Sequence, residues 1–132
     1  MVRILLAEDN RGDILLVRKA LEEHHVEYEL HVVKDGEEAL RFVSCMGRPD
    51  GDPCPDLMLL DLNLPKVDGS QVLREFRRHP QCEHTPVIVI TSSDSSKDHA
   101  LVAAIGVTRY FRKPMDFEGF MQLGAIVKEI LQ

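Results

Sequence analysis

Residues Leu57-Met58-Leu59-Leu60 form an unbroken apolar run, with Pro55 and Asp56 before it and Asp61 and Pro65 after it. A short apolar run between turn formers predicts a strand buried on both faces, and such strands belong to parallel sheets covered by helices. Pro65 bars the strand from continuing as a ladder partner, so Asp61 is expected where the strand emerges, at its carboxyl end. An aspartate presented there by a rigid strand is well placed to react.

The rest of the chain alternates in the same way. Val2 to Ala7 predicts a first strand, ended by Glu8-Asp9. Asn10 suits the cap of a helix from Arg11 to His24, with Ile14, Val17, Ala20 and Leu21 at helical spacing. Glu29 to Val33 predicts a strand, Asp35-Gly36 a turn, and Glu37 to Cys45 a helix with Ala39, Leu40 and Val43 inward. Met46 to Pro55, with two glycines and three prolines, predicts a loop open to variation or mobility. After Asp61 come the Asp68-Gly69 turn and a helix from Ser70 to Arg78 that Pro80 ends. Val87 to Ile90 predicts a β-branched buried strand ending in Thr91-Ser92-Ser93. Ser95 or Ser96 can cap a helix through Ala104, closed by Gly106. Thr108 to Arg112 predicts a short strand before Lys113-Pro114, and Asp116 to Leu131 the last helix. Phe117, Phe120, Met121, Leu123, Val127 and Ile130 are its apolar stripe. The expected fold is α/β: a doubly wound, five-stranded parallel sheet of flavodoxin-like (βα)5 type, in a three-layer α/β/α sandwich spanning residues 1–132 as one domain.

Composition narrows the function. Sixteen Lys+Arg against 22 Asp+Glu leave a net charge of −6 with no basic block, so no nucleic-acid partner is expected. With no signal peptide and no apolar run of membrane-spanning length, the expectation is a soluble cytoplasmic protein without a membrane partner. Cys45, Cys54 and Cys82 are unevenly spaced and predict no disulfide framework. Cys82 beside His84 reads as a loop thiol and a surface imidazole, and His24, His25, His31, His79 and His99 as solvated residues.

In an open parallel sheet, ligands bind beyond the carboxyl ends of the strands. Four of the expected strands end in functional groups at that rim: Glu8 and Asp9, Asp61, Thr91, and Lys113. Singly, Glu8-Asp9 could be an acidic pair at a helix N-terminus, Thr91 a cap and Lys113 a surface charge. Together with Asp61 they read as one site. Three carboxylates within several ångströms repel by roughly 1 to 4 kcal/mol per pair in a solvated setting, which calls for a cation. Carboxylate oxygens suit Mg²⁺, with the Lys113 ammonium and the Thr91 hydroxyl completing a receptor for a phosphoryl group that Asp61 can attack in line.

Glu8-Asp9, Asp61 with Asn63 and Pro65, Thr91 and Lys113-Pro114 together resemble the receiver domain of two-component response regulators, the CheY-like fold, over nearly the whole chain. The opening Glu8-Asp9-Asn10-Arg11-Gly12-Asp13 and the run from Leu59 to Pro65 are similar to stand-alone regulators, some of which serve phytochrome-type kinases. The resemblance implies that Asp61 accepts a phosphoryl group from a sensor histidine kinase. It implies Mg²⁺ bound by Asp9, Asp61 and the backbone carbonyl of Asn63, with Glu8 acting mainly through water. Lys113 would pair with the phosphoryl oxygens, Thr91 would move to the phosphate, and Tyr110, which by pattern alone could be core, would turn inward behind it. The output face would be the fourth helix, fifth strand and fifth helix, acting on an unknown downstream protein. The alternative is a phosphoryl shuttle or sink between a hybrid kinase and a phosphotransfer protein. Arg112 adds charge beside Lys113, and neutral Ser93 offers a hydrolytic water little help.

A phosphatase of the haloacid-dehalogenase type would need a second acid two residues after the nucleophile, where this chain has Asn63. Hence the expectation of a signalling protein, not an enzyme. No DNA-binding region is expected either. Phe117, Phe120 and Met121 with the Val102 and Ile105 region raise a homodimer through the fourth and fifth helices, against the simpler expectation that most of them face the sheet.

Overall fold

The computed structural model describes residues 1–46, 51 and 53–132. Half of the loop expected from Met46 to Pro55 therefore lies outside the described residues. Five strands, β1 (Val2–Ala7), β2 (Tyr28–Val33), β3 (Leu57–Leu60), β4 (Val87–Thr91) and β5 (Arg109–Arg112), alternate with α1 (Arg11–Glu23), α2 (Gly36–Cys45), α3 (Gly69–Arg77), α4 (Ser96–Ile105) and α5 (Phe117–Leu131). The strands form one parallel sheet in the order β2-β1-β3-β4-β5. This is the expected flavodoxin-like fold.

Burial follows position in the sheet. β3 and β4 are buried at every residue, as unbroken apolar runs must be when helices cover both faces. The edge strands β2 and β5 carry exposed or half-buried residues instead. One core gathers Leu5, Met58, Leu60, Val87 and Val89 with residues of α2, α3 and α4. The other gathers Ile4, Leu6, Leu59, Ile88 and Ile90 with residues of α1 and α5. Successive strand residues point to opposite faces, and this alternation separates the two cores.

The chain passes from β1 outward to β2, then crosses to place β3 on the other side of β1. The resulting switch point leaves a crevice between the ends of β1 and β3. Gly69 lets the start of α3 sit against it, since a Cβ there would fall 2.6 Å from the Asp61 carbonyl oxygen.

Several expectations are corrected. Asp35 is the N-cap of α2, its side chain accepting from the Glu38 N–H, where a plain turn was expected. A 3-10 turn at Pro80–Cys82 follows α3. Cys54 and Cys82 form a disulfide with Cα atoms 5.6 Å apart. Each cysteine precedes one of two adjacent parallel strands, β3 and β4, so the sheet brings together residues that linear spacing keeps apart. Phe117 is 52% exposed, because it opens α5 beyond the strand ends, while Phe120, Met121 and Val102 are buried. His99 stays exposed yet lies against the Tyr110 ring at 4.5 Å.

Candidate functional site

Three of the functional residues are set by backbone bonds that continue the sheet past the strand ends. Glu8 N–H donates to the Val33 carbonyl at 3.0 Å, Asp61 N–H to Ala7 at 3.0 Å, and Lys113 N–H to Thr91 at 2.8 Å. Among the described residues, the buried polar ones are Glu8, Asp61 and Thr91, and all three lie at this rim. Burying a carboxylate costs stability unless it is paired, so a cluster of them is informative.

Lys113 is the partner. Its Nζ lies 2.8 Å from Glu8 Oε2, 2.8 Å from Asp13 Oδ2 and 3.0 Å from Asp61 Oδ2. Burial pulls the Lys113 amine down, but the bonds it donates to Asp13 and Asp61, together with the Glu8 charge, outweigh it and hold the amine above its usual range. Burial pushes the Glu8 carboxyl up to about 7; Lys113 opposes that rise and the Asp61 charge adds to it.

Asn63 binds both neighbours: its N–H donates to Asp61 Oδ1 at 3.0 Å and its amide group to Thr91 Oγ1 at 3.1 Å. Thr91 Oγ1 also accepts from the Ser93 N–H at 3.3 Å. The Tyr110 hydroxyl donates to the Ser93 carbonyl at 2.9 Å, and burial raises the Tyr110 phenol. Ser93 thus links Thr91 to Tyr110, and its own hydroxyl donates to Asp98 on α4 at 2.9 Å. Arg112, the last residue of β5, pairs with Asp94 at 3.4 Å.

Glu8, Asp9 and Asp61 each offer a carboxylate oxygen, all within 4.8 Å of one another. Glu8 Oε2 is buried and makes no hydrogen bond, because the nearby Nζ meets it as a charge but is not aligned as a donor. A buried, unbonded carboxylate oxygen among hard oxygen donors fits a divalent cation. An open cleft lined by Glu8, Asp9, Asp13, Asp61, Asn63 and Lys113 leads to it.

The response regulator receiver domain family matches residues 4–123. The chain belongs to that family. Receiver domains work in two-component signalling, are paired with histidine kinases and bind a divalent metal at an acidic pocket of this kind. The sequence is 35% identical over 120 residues to the response regulator Rcp1 of Synechocystis sp., covering 91% of this chain and 82% of that protein. The phosphorylated cyanobacterial phytochrome response regulator RcpA superposes with a TM-score of 0.86 at 35% identity, covering 98% of this chain and 93% of that one. The Mn²⁺-bound form of Rcp1 superposes with a TM-score of 0.85 at 32% identity, with the same coverage.

Of the residues named from sequence, Glu8, Asp9, Asp61, Asn63, Thr91 and Lys113 come together, with Tyr110 one residue removed through Ser93. Asp13 was missed. It belongs to the motif quoted above, but an acid in the first turn of a helix is ordinarily explained by the helix dipole. Among the described residues no helix is long and apolar enough to cross a membrane.

Proposed function

We propose that Asp61 accepts a phosphoryl group from the phosphohistidine of a sensor kinase, with Mg²⁺ held by Asp9, Asp61 and the Asn63 backbone carbonyl and Glu8 acting through water. The observation that carries this reading is the Lys113 ammonium 3.0 Å from an Asp61 carboxylate grouped with Glu8 and Asp9. When bound, the cation would neutralise the carboxylates and the charge on the phosphoryl oxygens. Asp61 supplies the nucleophilic oxygen, and the new P–O bond forms as the histidine P–N bond breaks. Lys113 turns an N–H to a phosphoryl oxygen and needs no proton transfer to do so.

Thr91 is the means of readout. Moving its hydroxyl to the phosphoryl group breaks its bonds from Asn63 and Ser93, and Ser93 is where Tyr110 and Asp98 attach. The shift would reach β5 and α4 and so alter the surface offered to a downstream protein. The likeness to phytochrome response regulators favours a phytochrome-type kinase as the phosphodonor. The same chemistry would serve a phosphoryl shuttle or sink.

Incubation with Mg²⁺ and acetyl phosphate, read by intact mass, tests the acceptor directly. The wild type should gain one phosphoryl group and Asp61→Asn none. Equal labelling of both would remove Asp61 from this role. Self-association through α4 and α5 draws support from exposed Phe117. Sedimentation with and without phosphodonor decides it, and a monomer under both conditions removes it.

A further inference from the structure

The Lys113 ammonium donates to Asp13 and to Asp61, and the Glu8 carboxylate faces it as a charge at 2.8 Å. These three carboxylates differ in what else they can do. Glu8 and Asp61 belong, with Asp9, to the group that can hold a cation, and Asp13 does not. A cation taken up there draws on the same two carboxylates that hold the lysine. Asp13 is then the one whose charge remains committed to Nζ.

Its backbone is equally well placed. The Asp13 N–H donates to Asn10 Oδ1 at 3.0 Å, which fixes the residue in the capped first turn of α1. Lys113 leads into α5, and α5 packs closely on α1. Both ends of the ion pair are therefore anchored in one layer. Without Asp13, the flexible four-carbon stem of Lys113 has no charged partner among the described residues outside the cation cluster.

We propose that Asp13 is a positioning residue for phosphoryl transfer: acting through Lys113, it keeps the ammonium aimed at Asp61 when a divalent cation enters the acidic cluster. This rests on the phosphoacceptor reading of Asp61.

The test compares wild type, Asp13→Asn, Lys113→Ala and the double variant. Labelling by acetyl phosphate with Mg²⁺ is followed by intact mass, and Mn²⁺ binding to the unphosphorylated proteins by calorimetry. Asp13→Asn should slow labelling about tenfold in the wild-type background and add nothing once Lys113 is gone. Its Mn²⁺ affinity should stay within about threefold of wild type, which also reports an intact, folded site. Labelling at the wild-type rate would overturn the proposal. So would an equal slowing in the Lys113→Ala background, or a tenfold loss of Mn²⁺ affinity, which would make Asp13 part of the cation set. Asp61→Asn serves as a separate control: if it is labelled, the acceptor assignment fails whatever Asp13 does.

Discussion

On one face of the sheet, α5 lies so close on α1 that a Cβ at Gly124 would run into the Ala20 carbonyl oxygen. On the other face, α4 buries only Val102. That second layer is held differently. The Arg77 guanidinium donates to the carbonyls of Cys82, Thr85 and Gly106 at 3.1, 2.7 and 3.1 Å, tying α3 to the C-terminus of α4, and the Cys54–Cys82 disulfide closes the adjoining loop. The division matches the site. Asp13 and Lys113, whose ion pair must stay put, belong to α1 and the lead into α5. The chain Thr91–Ser93–Asp98, which must yield if a signal is to pass, ends on α4. Close apolar packing has few alternative arrangements, whereas a helix held by hydrogen bonds can be re-seated by exchanging them.

The most severe way to break this comparison is to force the tight layer apart. Gly124→Val should cost about 4 kcal/mol, because the added atoms meet the Ala20 backbone carbonyl, which cannot move aside, as well as the His24 ring. The same type of change at exposed Ala103 on α4 should cost no more than about 0.5 kcal/mol. Urea unfolding of both variants measures the contrast. Similar losses at the two positions would show that the layers do not differ.

Reduction of Cys54–Cys82 should cost somewhat less. Closing a loop of 28 residues' separation restricts the unfolded chain by about 3.6 kcal/mol in the loop-entropy account. The loss should fall on the α2–α3–α4 layer, so hydrogen exchange in α4 should quicken more than exchange in α1 or α5. Uniform quickening would mean that the two layers unfold as one unit. The expected outcome is a lower urea midpoint in thiol reductant, reproduced by Cys82→Ser without it.

This disulfide also marks how far the linear sequence can be read. β3 and β4 were legible because full burial leaves an unmistakable apolar run, and Asp61 and Thr91 were legible because they stand at the ends of such runs. Fold class followed from the five alternations of strand and helix, and the cation cluster from Glu8-Asp9 and Asp61 at two strand ends. Partnerships across the sheet were hidden. Asp13 and Lys113 are 100 residues apart, and Cys54 and Cys82 are paired by strand adjacency, which spacing does not encode. Arg77 carries no signal in the linear sequence, since its worth depends on carbonyls supplied by two other segments.

The smallest effect concerns the start of α2, on the same face of the sheet as α4. The Glu38 N–H holds the Asp35 carboxyl below its usual range, burial opposes this, and Lys66, 3.5 Å away, lowers it further. The sign follows from linkage: a carboxyl whose pKa is lower folded than unfolded contributes stability above the unfolded value of 3.8. That contribution is lost as the pH falls through the folded pKa. Asp35→Ala should therefore be less stable than wild type at neutral pH, and the gap should shrink in acid below 3.8. Replacing Lys66 with Met should narrow the gap only slightly, because the backbone N–H is the larger cause. Urea midpoints of the three proteins across the acid range decide the matter. A gap that stays constant down through the folded pKa would mean that the side chain caps α2 equally well when protonated, and that its charge does no work in fixing this helix.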